Sequence, residues 1–412
     1  MSKGGRGPVK VEFLEDLPKR INHPMLGLSS IFSQIIRLVP RGLFDKAVGK
    51  HKAEKHAKGM TSWSQFIALM FCQLGGARSL REIVGGLAAS EGKLKHLGVE
   101  LVPTRSTLSY ANEHRPWQVY KSLFDDLVLL CHGEAAVRKR KFRFKRPLYS
   151  LDATVIPLCL SMFDWALYRK KKGAAKVHLV MDNASMLPQY AVITQGKVAD
   201  ITVAKKMTFA AGAMLVFDRG YEDHKWWRKL TVDGVRFLSR LKDSTRYGIV
   251  EERAASPDPR VLRDEIIVLD SENGQEHVMR LRRVEVWVEE KNETLAFVTN
   301  DLRLAASTIA AIYKDRWQIE LFFKAIKQSL RIKSFIGTSE NAVQTQIWTA
   351  LIAMLLVRLL QLRSTWNWSL SNLVALLRQQ LFVYRDLTTW LNQPFRPPIA
   401  LDDPQLVLPG LR

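Results

Sequence analysis

The sequence predicts an α/β chain, with a mixed strand-and-helix middle, a β-rich interval inside it, and helical regions at both ends. Three observations predict this. Apolar residues recur at helical spacing from about Leu26 to Leu130. Short runs rich in β-formers (PLYSLDATVIPLCL, KVHLVMDN, PQYAVITQGK, AMLVFDRGY, VRFLSRLK) then alternate with helical segments. From roughly Tyr247 to Leu295 only strand patterns occur (GIVEE, DEIIVLD, HVMRLRRVEVWVEE), and TLAFVTND closes the interval before helical periodicity returns after Asp301.

Each element has a local cause. In TSWSQFIALMFCQLGG, Thr61 or Ser62 can cap, while Trp63, Phe66, Ile67, Met70 and Phe71 make the apolar stripe. Gly75-Gly76 stops the helix. SLREIVGGLA forms a second short helix. In VPTRSTLSYANEHRPWQVY a polar capping region at Arg105 to Thr107 opens a short helix that ends before Pro116. Two compact helices followed by a basic, Ser/Thr-opened helix suit a DNA-reading domain; a plain helical bundle has the same periodicity. The run RKRKFRFKR follows, with Arg138, Lys139, Arg140 and Lys141 ahead of interleaved Phe142 and Phe144. It suits contact with a phosphate backbone, and a solvated linker is the alternative. Between the later strands, TVAKKMTFAAG and EDHKWWRKLTVDG read as helices. One long helix is expected to run through Leu330, with more helices to about Leu391 and an irregular, Pro-rich end from Pro394.

The 412 residues are enough for two or three domains. Hydrophobic residues make up 47 %, which supports a real core and argues against global disorder. Lys and Arg number 62 against 40 Asp and Glu, a net charge of +22 that calls for a polyanion, nucleic acid before an anionic membrane. Cys72, Cys131 and Cys159 are odd in number and far apart, with no CxxC pair, so neither a disulfide framework nor a zinc knuckle is supported. The basic start MSKGGRGPVK has no apolar run behind it and does not read as a signal peptide; a reducing cytoplasm is expected. The most apolar stretch, Ile347 to Val357, is cut off by Arg358. It is too short to span a bilayer and reads as a buried helix, so no membrane partner is expected.

Two carboxylates stand out on strands. In LYSLDATVI, alternation puts Ser150, Asp152 and Thr154 on one face and Leu151, Ala153 and Val155 on the other. A charge so placed costs solvation energy unless it is paired or metal-bound. Asp218 closes the apolar strand in AMLVFDRGY, and Gly220 lets the chain turn immediately, placing a carboxylate where a strand end projects into a site. For either Asp alone, an N-cap or a structural ion pair is the simpler reading. His178 and Asp182, on the KVHLVMD strand, read as structural. The charged segment from Asp164 through Arg169 to Lys172 suggests DNA contact for its lysines and nothing catalytic for Asp164.

A third carboxylate sits on a helix. In IYKDRWQIELFFKAIKQS, at about 100° per residue, Tyr313, Arg316, Glu320 and Lys327 fall within a sector of about 60°. Ile312, Ile319, Phe323, Ile326 and Leu330 fill the adjacent sector and form the core face. An Arg316–Glu320 surface ladder at i, i+4 would give part of this stripe. The alternative is chemical. A helix carboxylate beside two strand carboxylates can hold two Mg²⁺ ions that activate an attacking oxygen and stabilise a leaving oxygen of a phosphodiester. The flanking Arg and Lys would clamp a phosphate. As edge charges, Arg316 and Lys327 are expected to matter more for cleavage than for folding.

Tyr313, Arg316, Glu320 and Lys327 match Y-x2-R-x3-E-x6-K at every position, and here the sequence resembles the DDE transposases of bacterial insertion sequences, insertion-sequence-four type, with the YREK signature. YSLDATVI resembles the family's first-Asp strand, and SMFDWALYRKKKGAAKVHLVMD the segment after it. VFDRGYED resembles the second-Asp strand and turn, FLSRLK the next strand, and FVTND the strand before the signature helix. The resemblance covers Leu148 to Leu330, and more weakly the N-terminal helices. It implies an RNase H-like core, a mixed sheet with helices, interrupted by a β-rich insertion. An all-helical N-terminal DNA-binding domain and a helical C-terminal region complete the expected fold. The expected boundaries are a basic tail over 1–25, the DNA-binding domain over 26–145, and the core over 146–245. The insertion then covers 246–295, the signature-helix part of the core 296–335, and the C-terminal region 336–412.

The resemblance also implies activity: metal-dependent cleavage of double-stranded DNA at terminal inverted repeats, hairpin formation and opening, and strand transfer into target DNA. Asp152, Asp218 and Glu320 would be the catalytic metal ligands for two Mg²⁺, with Mn²⁺ as substitute. Tyr313, Arg316 and Lys327 would hold DNA, and a homodimer would bridge two ends in the bacterial nucleoid. One departure is visible. Relatives carry a Trp at the start of the strand before the signature helix that helps extrude a base, and Leu295 stands there. Trp317 or Trp287 is available instead, or the hairpin step is handled differently, and core packing is the other reading of Trp317. Two other functions stay open on sequence: an end-binding protein that does not cut, and an RNase H-like nuclease for branched DNA.

Overall fold

In the computed structural model the described residues are 29–55, 57, 59–90, 94–135, 142, 144, 146–158, 167–169, 172–254, 256–269, 279–329 and 335–395. The N-terminal part is helical: α1 (Ile31–Ile36), α2 (Arg41–Lys50), α3 (Ser62–Gly75), α4 (Leu80–Ala88), α5 (Arg105–His114) and α6 (Gln118–Ala135). Thr61 caps α3 by accepting from the Ser64 N–H, and Gly76, at φ 74°, ends it in the left-handed conformation that a side chain disfavours. Thr104, one residue before the expected polar cluster, caps α5.

Strands and helices then alternate: β1 (Leu148–Leu158), β2 (Leu167–Arg169), β3 (Lys172–Asp182), β4 (Leu187–Gln195), α7 (Asp200–Ala204), β5 (Met214–Val216), α8 (His224–Val232) and β6 (Arg236–Arg240). The β-only interval supplies β7 (Tyr247–Glu252), β8 (Val261–Leu269), β9 (Arg280–Val288) and β10 (Glu293–Thr299). Helices α9 (Ala306–Asp315), α10 (Trp317–Ser329), α11 (Glu340–Arg363), α12 (Leu370–Gln380) and α13 (Leu387–Asn392) complete the described chain.

All ten strands join one mixed sheet in the order β2-β3-β1-β5-β6-β10-β9-β8-β7, with β4 also on β3. The β1–β5 and β5–β6 pairs are parallel, and the other pairs are antiparallel. Alternation along β1 decides what each face meets. Leu151 belongs to a core with Trp226, Trp227 and Leu230 of α8. Ile156 and Leu158 belong to the core that α10 covers with Ile319, Phe323 and Ile326. A third core packs α9 onto β9 and β10.

The helices from both ends of the chain share one core, in which α11 touches α3, α5, α6 and α12. Helix α11 runs well beyond Ile347–Val357. It has 24 residues, long and apolar enough to cross a membrane by length and composition, but 94 % of its most apolar window is buried in the protein. The single long helix expected through Leu330 is instead two helices divided at Arg316, and Leu330 lies outside the described residues. At the division the Arg316 N–H is shared between the carbonyls of Ile312 (3.3 Å) and Tyr313 (3.2 Å), which tightens the turn.

His178 confirms its structural reading by position. It is 1 % exposed on the α8 side of β3, with Nε2 2.9 Å from the Thr194 hydroxyl and Nδ1 3.5 Å from Asp200, which also pairs with Lys176. Burial pushes its pKa down to about 4; Asp200 opposes the shift and Lys176 adds to it. An unfolded His takes up its proton near 6.5, so between 6.5 and 4 the unfolded state binds more protons and stability is lost as pH falls. Urea unfolding at pH 7 and pH 4.5 should show this loss, roughly 2–3 kcal/mol at 1.36 kcal/mol per unit. His178→Gln should flatten it; an equally steep loss in the variant would refute the assignment.

Candidate active site

Asp152 lies mid-strand on β1, on the face covered by α10. Its Oδ1 accepts from the Ala153 N–H (2.8 Å), and its Oδ2 lies 3.3 Å from Arg316 Nη1. The second arm of the same guanidinium, Nη2, donates to Glu320 Oε1 at 2.6 Å. Arg316 therefore joins the strand carboxylate to the helix carboxylate. The i, i+4 pair that a surface ladder would have produced is present, but it is partly buried and its arginine is shared with Asp152. Burial raises the Asp152 pKa to about 6. Arg316 and the Ala153 N–H oppose the shift, and the charges of Asp218 and Glu320 add to it.

Asp218 lies two residues past the end of β5 and caps a short 3₁₀ turn over Arg219–Tyr221, its Oδ1 accepting from the Gly220 N–H at 2.9 Å. Glycine here leaves room for the carboxylate: a Cβ on residue 220 would stand 3.0 Å from Asp218 Oδ1, tight contact that would push on that oxygen. The parallel β1–β5 pairing brings the Asp218 turn beside Asp152. Ser239 on β6 fixes it further by donating to the Asp218 carbonyl at 3.1 Å.

Tyr313 is half-buried, with its ring centroid 4.8 Å from that of Phe297 and 5.4 Å from the Arg316 guanidinium. Burial raises its phenol pKa, against Arg316 and Arg240 and with Asp218. Lys327 lies about 10 Å farther along α10, two turns past Glu320. Trp317 is 53 % exposed beside this cluster, which removes the core-packing reading. Trp287 lies on β9 and is 36 % exposed. Val284, Val286 and Val288 pack toward α9 with Leu295, so alternation turns Trp287 to the other side of the sheet. Arg138, Lys139, Arg140 and Lys141 lie outside the described residues. The rings of Phe142 and Phe144 stack on each other at 5.5 Å and pack on the third core.

Sequence reasoning missed two neighbours of the site. Tyr221 is buried, near Asp200, Asp152 and Asp218, with a hydroxyl that has no hydrogen-bond partner. Arg240 ends β6 facing Tyr313, and its only sequence signal was its place, with Lys242, in the run FLSRLK.

Three carboxylates that share a field form a hard, all-oxygen donor set, the chemistry that Mg²⁺ or Mn²⁺ requires. Asp218 and Glu320 both act on Asp152 in the same direction as burial, as like charges gathered near it would. Among the described residues, no three such groups stand close enough together to form a finished metal cage. The donor types fit the ion, and closure of the cage is a separate matter.

Comparison with known proteins gives the family. Residues 143–356, just over half of the chain, match the family described as Transposase DDE domain. Residues 28–100 match a domain of unknown function (DUF4372). A putative transposase, y4zB, of Sinorhizobium fredii is 31 % identical over 73 % of this chain and 82 % of its own length. A probable transposase for insertion sequence element IS5377 of Geobacillus stearothermophilus is 29 % identical over 65 % of this chain and 70 % of its own. Among solved structures, a piggyBac transposase synaptic complex with hairpin DNA aligns over 85 % of this chain and 77 % of that one, at 9 % identity and a TM-score of 0.41. On the span of the family match and the 31 % identical relative, the chain belongs to the transposases with a DDE domain.

Proposed function

We propose that this transposase binds the terminal inverted repeats of its insertion sequence, cuts them in a divalent-metal-dependent reaction through hairpin ends, and joins them to target DNA. The observation that carries the reading is the convergence of Asp152 from β1, Asp218 from the end of the adjacent parallel β5, and Glu320 from α10. Asp152, Asp218 and Glu320 would hold two Mg²⁺, or Mn²⁺ in their place, and these would supply Lewis-acid stabilisation of the attacking and leaving oxygens. Arg316 and Lys327 clamp the phosphate, Tyr313 holds the backbone beside the cut, and Trp317 stacks on an extruded base.

The strand order β4-β3-β1-β5-β6 supports an RNase H-like core over 146–245 and 296–335, with β7 to β9 as the β-rich insertion of 246–295. Helix α5 turns Arg105, Ser106, Ser109 and Tyr110 outward, which supports DNA reading by the helices of 26–145, aided by the basic run from Arg138 to Lys141. The YREK match supports the insertion-sequence-four type, and on this reading the protein acts as a homodimer that bridges two ends in the bacterial cytoplasm.

The test is a duplex carrying the repeat that flanks the encoding gene, incubated with protein and Mg²⁺ and resolved on a denaturing gel. A nick at the repeat end followed by a double-length hairpin strand is expected. Binding without nicking under any divalent metal would make it an end-binding protein. Cutting that follows branches rather than terminal sequence would make it a structure-selective nuclease.

Trp317→Ala separates base capture from the first nick. An exposed side chain contributes little to folding, about 0.5 kcal/mol or less. The variant should nick normally yet form hairpins at least about tenfold more slowly, since lost base stacking costs about 1–3 kcal/mol. A 2-aminopurine at the terminal base should lose its protein-induced fluorescence rise; an unchanged signal would remove Trp317 from this role.

A further inference from the structure

We propose that Ser150, Asn183 and Asp315 form a positioning chain that sets the helix bearing Glu320 against the strand bearing Asp152. The proposal rests on the reading of Asp152, Asp218 and Glu320 as one site. Ser150 is fully buried on β1, two residues before Asp152 and on the same face. Its hydroxyl donates to Asn183 Oδ1 at 2.8 Å, and Asn183 Nδ2 donates to Asp315 Oδ2 at 3.0 Å. Asp315 is 6 % exposed and immediately precedes Arg316, at the division between α9 and α10.

The polarity of the chain is fixed. The Asp315 carboxylate can only accept, so Asn183 must turn its NH₂ to it and its oxygen to Ser150; reversed, the amide oxygen would face the carboxylate. Asn183 is itself anchored. Its backbone N–H donates to the Leu148 carbonyl at 2.9 Å. The turn it sits in is held by Asp182, whose carboxylate accepts from the Ser185 N–H (3.0 Å) and the Ser185 hydroxyl (2.6 Å). A buried carboxylate is costly to place without hydrogen bonds, so its position resists drift. Two hydrogen bonds thus run from the first-Asp strand to the residue beside the guanidinium that spans Asp152 and Glu320. Ser150, Asn183 and Asp315 touch no reacting atom; they hold the distance between groups that do.

The test measures single-turnover cleavage of the repeat duplex and, separately, DNA affinity by gel shift, for wild type, Asn183→Ala, Ser150→Ala, Asp315→Ala, Asp315→Asn and Glu320→Ala. Misplacement of reacting groups by about 1 Å costs up to about a hundredfold in rate. Asn183→Ala and Asp315→Ala are expected to slow cleavage by about ten- to a hundredfold at unchanged affinity. Asp315→Asn, whose amide oxygen still accepts from Asn183, should stay within about threefold of wild type. If Asn183→Ala does not fold, as judged by melting, Ser150→Ala carries the test with an expected loss of about fivefold. Full-rate cleavage by folded Asn183→Ala or Ser150→Ala overturns the proposal, as does Asp315→Asn falling as low as Asp315→Ala. Full-rate cleavage by Glu320→Ala would instead sink the underlying site assignment.

Discussion

Glu320→Ala is expected to bind the terminal repeat as tightly as wild type and to cut it at least about a thousandfold more slowly, the scale on which loss of a transition-state charge stabiliser is felt. The separation follows from the geometry. Glu320 lies at the meeting point of α10 with Asp152 and Arg316, whereas the outward residues of α5 (Arg105, Ser106, Ser109 and Tyr110) sit on a separate helix of the N-terminal part. Folding should survive. The Glu320 side chain is 32 % exposed, and Arg316 keeps Asp152 as a partner when Glu320 is removed. A loss of about 1 kcal/mol is the scale for such a partly exposed pair. Asp152→Asn and Asp218→Asn should match it in cleavage, because each strand supplies one wall of the same site. Parallel gel shifts and denaturing gels check this, and a Glu320→Ala protein that nicks at the wild-type rate would disprove the assignment.

Arg316→Ala is expected to damage both stability and cleavage, which corrects the sequence-level expectation that an edge arginine matters little for folding. Arg316 is buried and joins two carboxylates, so truncation leaves Asp152 and Glu320 facing one another without their shared counter-charge. Removing one partner of a buried ion pair costs about 3–5 kcal/mol, and the partial exposure of Glu320 places this case toward the lower end. Urea unfolding should show a loss of about 3 kcal/mol. The double variant Arg316→Ala/Asp152→Asn should recover part of it by removing the stranded charge. Lys327→Ala is the contrast. It sits half-buried near the end of α10, and it should lose cleavage with about 1 kcal/mol or less of stability. A wild-type unfolding curve for Arg316→Ala would contradict the bridging geometry.

Strand alternation and helix periodicity were enough to place Asp152 on an inward face of β1, Asp218 just past β5, and Glu320 beside the core stripe of α10. These features depend on repeats of 2.0 and 3.6 residues that neighbours along the chain impose. The capping of α3, the β-only interval and the stripe of Tyr313, Arg316, Glu320 and Lys327 were legible for the same reason. Local pattern could not say how deep that stripe lies. Periodicity gives direction around a helix, while burial depends on what the rest of the chain brings alongside.

Tertiary structure alone decided the features that set the chemistry. Arg316 meets Asp152 across 164 residues, and Asn183 meets Asp315 across 132. Neither distance carries a periodic signal, because both follow from the order of strands in the sheet. The division of the signature helix at Arg316 and the common core of the two helical ends arise in the same way. So does the placing of Trp287 on the side of β9 away from α9. The sequence by itself determined which carboxylates and which cations this transposase has to work with, since residue type and local repeat are written in the chain. Their burial and their sharing of one guanidinium came only from the packing of β1, β5 and α10 into a single face, where distance and desolvation are set by distant residues.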